Sequence, residues 1–153
     1  MTGTQRITFS TTIGAPVPVV WRTMLGKPGY EHWTSAFSEG STYEGAWAPG
    51  AKIRFLGQEG DGIVSEIAEY REHAYISLRH LGFLAKGVED TTSDAVRAWA
   101  PAYENYTFTA VPGGTKVDVE LDMPAEWIEH MSEAWPKALA LLAQASEAEA
   151  ARG

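Results

Sequence analysis

Two ionisable side chains, His80 and Glu104, fall on faces of predicted strands that otherwise carry mostly apolar residues. His80 continues the inward alternation of residues 73–81, and Glu104 shares the inward face of residues 102–111 with Tyr106. If these strands are neighbours, the imidazole and the carboxylate come within hydrogen-bonding range of each other. Three interpretations stay open: a buried polar pair satisfied by itself or by Tyr106, two contacts for a polar group of a ligand, or an acid–base pair.

The chain lacks the residues that thiol chemistry requires, and its histidines do not have the spacing of a metal site. The chain has no cysteine, which excludes disulfides and thiolate catalysis. Its four histidines, at positions 32, 73, 80 and 130, share no spacing that would place two of them on one helix face. We therefore expect no bound metal, and no pattern in the chain indicates a cofactor.

Nucleophile and phosphate-binding motifs are also weak. Ser65 and Ser77 lack the strand–turn–helix context of a hydrolase nucleophile. The closely spaced glycines of residues 57–62 join two predicted strands and do not open a helix, which is typical of a turn and not of a phosphate loop.

Composition narrows the class of protein further. The 153 residues suit a single domain spanning 1–153, and 12 basic against 20 acidic residues give a net charge of −8. Such a charge disfavours nucleic acid and anionic membranes as partners. No apolar run has the length of a membrane span or a signal peptide, so we expect a cytoplasmic protein. The oligomeric state stays open between monomer and homodimer.

The pattern of apolar residues predicts an α+β protein. A strand over 5–13 is followed by a short helix that ends near Gly26 and by a second short helix that begins near Pro28. Alternation broken by glycine or proline turns then predicts an antiparallel meander of six strands. These strands cover residues 41–47, 51–57, 61–71, 73–81, 102–111 and 115–122. The long connection 82–101 is unusual for a hairpin and suits a flap or lid.

A long helix from Pro124 to about Ser146 organises the rest of the chain. Apolar residues recur along it at spacings of three and four, which predicts a broad stripe that other elements must cover. Pro136 removes one backbone donor, so we expect a bend near residues 132–135 without an end to the helix. The Ala/Glu-rich tail after Ser146 is expected to fray.

This order of elements resembles the helix-grip fold of the START-like (SRPBCC) superfamily. Within that superfamily it is similar to the AHSA1-like family, whose members resemble the C-terminal domain of the Hsp90 ATPase activator. The residues that carry the resemblance are Pro16 with Val20-Trp21, Tyr30 to Trp33, Tyr43 to Trp47 with Gly50, Ile53 to Phe55, Tyr70 to His73, His80 to Gly82, and Trp99 leading into Glu104 to Phe108.

The resemblance implies a curved antiparallel sheet, in the order β-α-α-β6-α, wrapped around the long C-terminal helix. It also implies a cavity between sheet and helix that takes a small hydrophobic or amphipathic ligand. Inward strand residues and large aromatic residues are the candidate ligand contacts, although core packing also explains them. They are Trp33, Phe37, Tyr43, Phe55, Ile67, Ile76, Leu78, His80, Phe83, Trp99, Glu104, Tyr106, Phe108, Trp127, Met131 and Trp135.

Ligand binding is the leading functional hypothesis, and two alternatives come from other classes. One is a protein-interaction module similar to the Hsp90 activator domain, which would connect the chain to a chaperone and to the stress response. That module predicts a small or collapsed interior. The other is a cyclase- or dehydratase-like enzyme that uses His80 and Glu104, which requires both side chains to face an open cavity. We expect binding rather than catalysis.

Overall fold

The computed structural model describes residues 4–57 and 60–152. In this part of the chain, the strands form one antiparallel sheet. The strands are β1 (Thr4–Ile13), β2 (Thr42–Gly45), β3 (Lys52–Leu56), β4 (Gly62–Arg71), β5 (Tyr75–Ala85), β6 (Val88–Asp90), β7 (Ala102–Val111) and β8 (Gly114–Pro124). The helices are α1 (Val17–Leu25), α2 (Lys27–Trp33), α3 (Asp94–Arg97) and α4 (Ala125–Arg152), and a 3-10 turn covers Thr34–Ala36. The predicted α+β helix-grip fold is confirmed.

The strands follow the spatial order β1-β8-β7-β5-β4-β3-β2, and β6 pairs with β5 beside this path. Pairing between β5 and β7 places His80 opposite Ala102 and Leu78 opposite Glu104. His80 and Glu104 are therefore diagonal neighbours on one face of the sheet, within reach of each other's long side chains. On the other side of β5, His80 lies opposite Ser65 of β4.

The long segment 82–101 is more ordered than a simple flap. Strand β5 continues four residues beyond the predicted end at 81 and forms a hairpin with β6, and the short helix α3 follows. Gly82 pairs with Val64 and His80 pairs with Ser65, so Leu81 is left over and the side-chain alternation shifts there. That bulge explains why the pattern of alternation stops at 81 although the strand does not.

Helix α4 begins at Ala125, directly after Pro124 ends β8, and it continues to Arg152. As predicted, Pro136 does not end the helix. The tail after Ser146 was expected to fray, but residues 147–152 are helical, because alanine and glutamate favour helix. Glu147 also ties this end to the sheet, since its Oε2 accepts a hydrogen bond from the Gly14 N–H at 2.9 Å.

The apolar core lies beneath the C-terminal half of α4. Ala138 and Leu142 of the helix are fully buried there, together with Val20 of α1 and with Ile76 and Val117 of the sheet. The alternating residues Val117, Val119 and Leu121 of β8 are all buried, as expected for one face of a pleated strand. In the part of the chain that the structure describes, no helix combines the length and the apolar character needed to cross a membrane.

Candidate functional site

A cavity of about 610 Å³ lies between the inner face of the sheet and the helices α2 and α4. It borders the apolar core, because Met24, Tyr30, Trp33, Leu78 and Trp135 belong both to that core and to the cavity wall. This volume is typical of sites that hold small molecules. The sequence-predicted apolar residues on its wall are Trp33, Phe37, Phe55, Leu78, Met131 and Trp135.

Aromatic rings form most of the wall nearest α4. The ring centroid of Trp135 lies 4.9 Å from that of Phe37, 6.0 Å from that of Trp33 and 6.2 Å from that of Tyr106. The indole N–H of Trp33 donates to the Met24 carbonyl at 3.0 Å, which fixes the orientation of that ring. These contacts pre-form an apolar surface before any ligand arrives.

A connected set of polar side chains, here called the polar cluster, comprises Ser65, His80, Glu104 and Tyr106. The Ser65 Oγ lies 2.6 Å from His80 Nδ1, and His80 Nε2 lies 3.1 Å from Glu104 Oε1. The Tyr106 hydroxyl donates to the other carboxylate oxygen, Oε2. Ser65 is fully buried behind the histidine, whereas the other three side chains reach the cavity wall. The three predicted polar candidates are thus brought together on the wall, and Ser65 was missed as their partner.

Both ring nitrogens of His80 are engaged. Nδ1 contacts the buried Ser65 hydroxyl, and Nε2 contacts Glu104. The imidazole is therefore held between a buried hydroxyl and a carboxylate, and these two contacts fix the position of its ring on the cavity wall.

Two tyrosines near this carboxylate remain protonated. Burial raises the pKa of Tyr106 well above its usual value, and the charge of Glu104 and the hydrogen bond to it raise it further. Burial followed by the charge of Glu104 likewise raises the pKa of Tyr30, which also lines the cavity. Both phenols therefore act as neutral groups over the whole physiological range.

A stack of aromatic rings supports His80 from the side away from the cavity. The Trp99 ring lies parallel to the imidazole, with centroids 5.5 Å apart, and parallel to Phe83 at 4.8 Å. Trp127 of α4 leans on Trp99 and Phe83 at 6.3 Å from each, and its side chain is partly exposed. These three candidates lie outside the cavity wall and hold the imidazole in its plane.

Four other candidates also lie away from the wall. The Tyr43 hydroxyl donates to the Leu25 carbonyl at 2.6 Å, and its ring packs edge-on against Tyr30. Ile67, Ile76 and Phe108 belong to the apolar core, because they point inward at the end of the sheet that α1 and α4 close.

Several lining residues were not chosen from the sequence. Leu121 and Ile63 were predicted to face inward, and alternation could have found them. Met24, Leu25 and Tyr30 come from the short helices, and Trp47 follows β2. Thr34, Ser38, Ser41, Leu56, Gly57, Asp61 and Gly62 complete the described wall and lie on turns or strand ends, where no periodicity indicates an orientation.

Metal ligands do not converge at this site or elsewhere in the described residues. Within 4–57 and 60–152, no three histidine, aspartate or glutamate side chains come together in an arrangement that could hold a metal ion. The site therefore offers hydrogen bonds, aromatic faces and one carboxylate held by two donors.

Comparison with known proteins supports the fold. No family model matches the chain, and no curated protein is similar to it in sequence. Among solved structures, the protein MLL2253 from Mesorhizobium loti superposes with a TM-score of 0.71 at 15% identity, over 94% of this chain and 97% of that one. An AHSA1-like protein from Aeromonas hydrophila gives 0.65 at 14% identity, over 95% and 94% of the two chains.

DynU16, a protein of the dynemicin biosynthetic locus, superposes with a TM-score of 0.70 at 18% identity. The match covers 93% of this chain but 47% of DynU16, so this chain spans about half the length of that protein. The predicted resemblance to AHSA1-like proteins is confirmed at the level of the fold. At these identities the likeness shows the fold alone.

Proposed function

We propose that the protein binds a small amphipathic molecule in the cavity between the curved sheet and α4. The observation that carries this proposal is the cavity of about 610 Å³, whose wall is largely aromatic and aliphatic and contains one polar cluster. The apolar part of the ligand would pack against Trp33, Phe37 and Trp135. Its polar group would meet Glu104, His80 and Tyr106.

The energetics of such binding follow from the wall. Transfer of apolar surface from water contributes about 25 cal/mol per Å², so a ligand with two fused aromatic rings gains several kcal/mol when it is enclosed. A single polar group can then set its orientation, because an unpaired polar atom inside the cavity would cost about 1–3 kcal/mol. The aromatic wall therefore supplies affinity and the polar cluster supplies specificity.

The cavity weighs against the alternative of a chaperone-binding module, since that alternative expects a small or collapsed interior. The enzymatic alternative has the open cavity that it needs, with His80 and Glu104 on the wall. However, both nitrogens of His80 already take part in hydrogen bonds, so Glu104 would have to serve as the base. Once a ligand is identified, His80→Ala separates the two cases: an enzyme loses turnover with little loss of binding, and a carrier shows no turnover in either form.

Binding can be tested with a cavity-filling variant. Naphthalene-2-methanol, a neutral probe with two fused rings, should bind the wild-type protein in calorimetric titrations. Met131→Trp places a larger ring on the wall and should weaken that binding about tenfold or more. The matched control is Glu133→Trp, which adds the same side chain at an exposed position of the same helix. Equal affinities for both variants and the wild type would place the probe outside the cavity and contradict the proposal.

A further inference from the structure

The charged groups on the described part of the cavity wall all have one sign. Glu104 lies in its interior, Asp61 lies on a loop at its edge, and the described lining includes no lysine or arginine. The His80 imidazole on the same wall is already engaged at both nitrogens, by Ser65 and by Glu104. A ligand inside the cavity therefore meets a negative electrostatic potential.

The polar hydrogens around the cavity are mostly engaged already. The hydroxyl of Tyr106 donates to Glu104, that of Thr34 to the Tyr30 carbonyl at 2.6 Å, and that of Ser41 to the Ser38 carbonyl at 2.7 Å. What these groups still offer to a ligand is oxygen lone pairs. Glu104 also keeps acceptor capacity, since a carboxylate has about four lone-pair positions and two are used. The indole N–H of Trp47 on the same wall has no partner among the described residues. Near Glu104, however, the available groups are acceptors, and they favour a ligand that donates hydrogen bonds.

Aromatic faces surround the same space. The rings of Trp33, Phe37, Tyr106 and Trp135 form one side, and those of Tyr30 and Phe55, with centroids 5.9 Å apart, form another. The negative face of an aromatic ring attracts an organic cation within about 6 Å, and this attraction strengthens when water is excluded. Aromatic rings together with a carboxylate are the groups that recognise ammonium ions.

We propose that the cavity selects apolar molecules that carry a protonated amine, and that it discriminates against carboxylates and phosphates. This inference rests on the proposed ligand-binding function and specifies its ligand class. The amine donates to Glu104 while the apolar body packs against the aromatic wall. An anion would meet like charge at Glu104 in a site of low dielectric, with no cation beside it.

Three probes that share one ring system test this selectivity in wild-type protein. Naphthalene-2-methylamine is cationic at about pH 7.5, naphthalene-2-methanol is neutral, and naphthalene-2-carboxylate is anionic. Calorimetric titration should show the amine binding about tenfold more tightly than the alcohol, with the carboxylate the weakest of the three. If the alcohol binds and the amine is no tighter, the selectivity is overturned while the binding function stands. If none of the three binds, both proposals are contradicted.

Two charge-neutral variants locate the source of the selectivity. Glu104→Gln keeps the size of the side chain and its hydrogen-bonding capacity but removes the charge, and it should reduce the preference for the amine to less than about threefold. Glu120→Gln is the matched control, because it makes the same change in net charge away from the cavity wall. Glu120 lies on the opposite face of β8, where it pairs with Thr8 and Asn105. Its preference should equal that of the wild type. An unchanged preference in a folded Glu104→Gln protein would overturn the assignment to Glu104.

Discussion

At the scale of single residues, Ser65 supports the site although it does not reach the cavity. Its hydroxyl contacts Nδ1 of His80, Nε2 of His80 contacts one oxygen of Glu104, and the Tyr106 hydroxyl holds the second carboxylate oxygen. Each member has a hydrogen-bond partner, which is the condition under which a buried polar network stabilises a fold. The result is a charged acceptor held rigidly on an apolar wall.

Ser65→Ala should destabilise the fold by about 1–3 kcal/mol, because it leaves a buried imidazole nitrogen without its hydrogen-bond partner. Urea denaturation measures that change in the free energy of unfolding. The control is Ser77→Ala, which removes another buried serine hydroxyl, bonded to Asn105 at 2.7 Å on the outer face. It should cost a similar amount.

The two variants differ in their effect on the imidazole. In nitrogen NMR spectra, Ser65→Ala should shift the Nδ1 resonance of His80, because it removes the hydroxyl 2.6 Å from that nitrogen, and Ser77→Ala should not. An unchanged Nδ1 resonance in Ser65→Ala would contradict the contact between Ser65 and His80.

At the scale of elements, helix α4 contributes both to the cavity and to the packed core. Its N-terminal half places Met131 and Trp135 on the cavity wall, and its C-terminal half places Leu139 and Leu142 in the core. Trp135 lies at the boundary and stacks on Phe9 of β1 with centroids 5.9 Å apart. One helix therefore both closes the sheet and shapes the site.

Trp135→Ala should lower the free energy of unfolding by about 3–5 kcal/mol, because it removes a buried ring and enlarges the cavity beside it. Trp127→Ala on the same helix is the control. Trp127 is 37% exposed, so the Trp127→Ala substitution should lower the free energy of unfolding by less than half as much as Trp135→Ala. Chemical denaturation of both variants measures these changes, and similar losses would mean that the boundary role of Trp135 is wrong.

The pairing of β1 with β8 includes an ion pair that should respond to pH. Arg6 donates from Nε to Asp122 Oδ1 at 2.9 Å and from its terminal nitrogen to Oδ2 at 3.2 Å, and the Tyr103 N–H donates to Oδ2 at 3.0 Å. Burial alone raises the pKa of Asp122, but these hydrogen bonds outweigh it and hold the pKa below its usual range. Ionised Asp122 therefore stabilises the fold above about pH 4, and this contribution is lost as the pH falls through the folded-state pKa.

Asp122→Asn should lower the free energy of unfolding by about 1 kcal/mol near pH 7, and the difference from wild type should shrink as the pH falls below about 4. Urea denaturation over that range measures both effects. Asp118→Asn, also on β8, serves as the control, since its contact with Lys116 is 3.6 Å and largely exposed. A difference that stays constant down to about pH 2 would show that the charge of Asp122 is not responsible.

Sequence periodicity predicted the elements better than it predicted the site. Alternation along β8 identified an inward face because a pleated strand repeats every two residues. The same rule failed after His80, where the leftover Leu81 shifts the alternation and brings Phe83 beneath Trp99. Trp99 and Trp127 come from a loop and a helix end, and tertiary contacts place them behind the imidazole and away from the cavity wall. Nothing in the local pattern around Ser65 indicates its bond to His80, because register across the sheet creates it.

At the scale of the whole molecule, the sheet and the helices enclose an apolar core, and part of that core lines a cavity. Buried cores are normally close-packed, so an interior space of about 610 Å³ with an aromatic wall needs an explanation. Related folds among solved structures cover nearly the entire chain, but at 14–18% identity they show the architecture and not the ligand. The ligand must therefore be identified from the purified protein itself.

The central claim is that a small molecule occupies this cavity. The most direct test is native mass spectrometry of protein purified gently from its own host, followed by organic extraction and identification of the released compound. We predict one bound apolar molecule per chain, with a protonated amine, that is absent from the Met131→Trp protein and present in Glu133→Trp. A clean unliganded mass for the wild type, accompanied by a co-purifying chaperone, would contradict the claim and favour the interaction module.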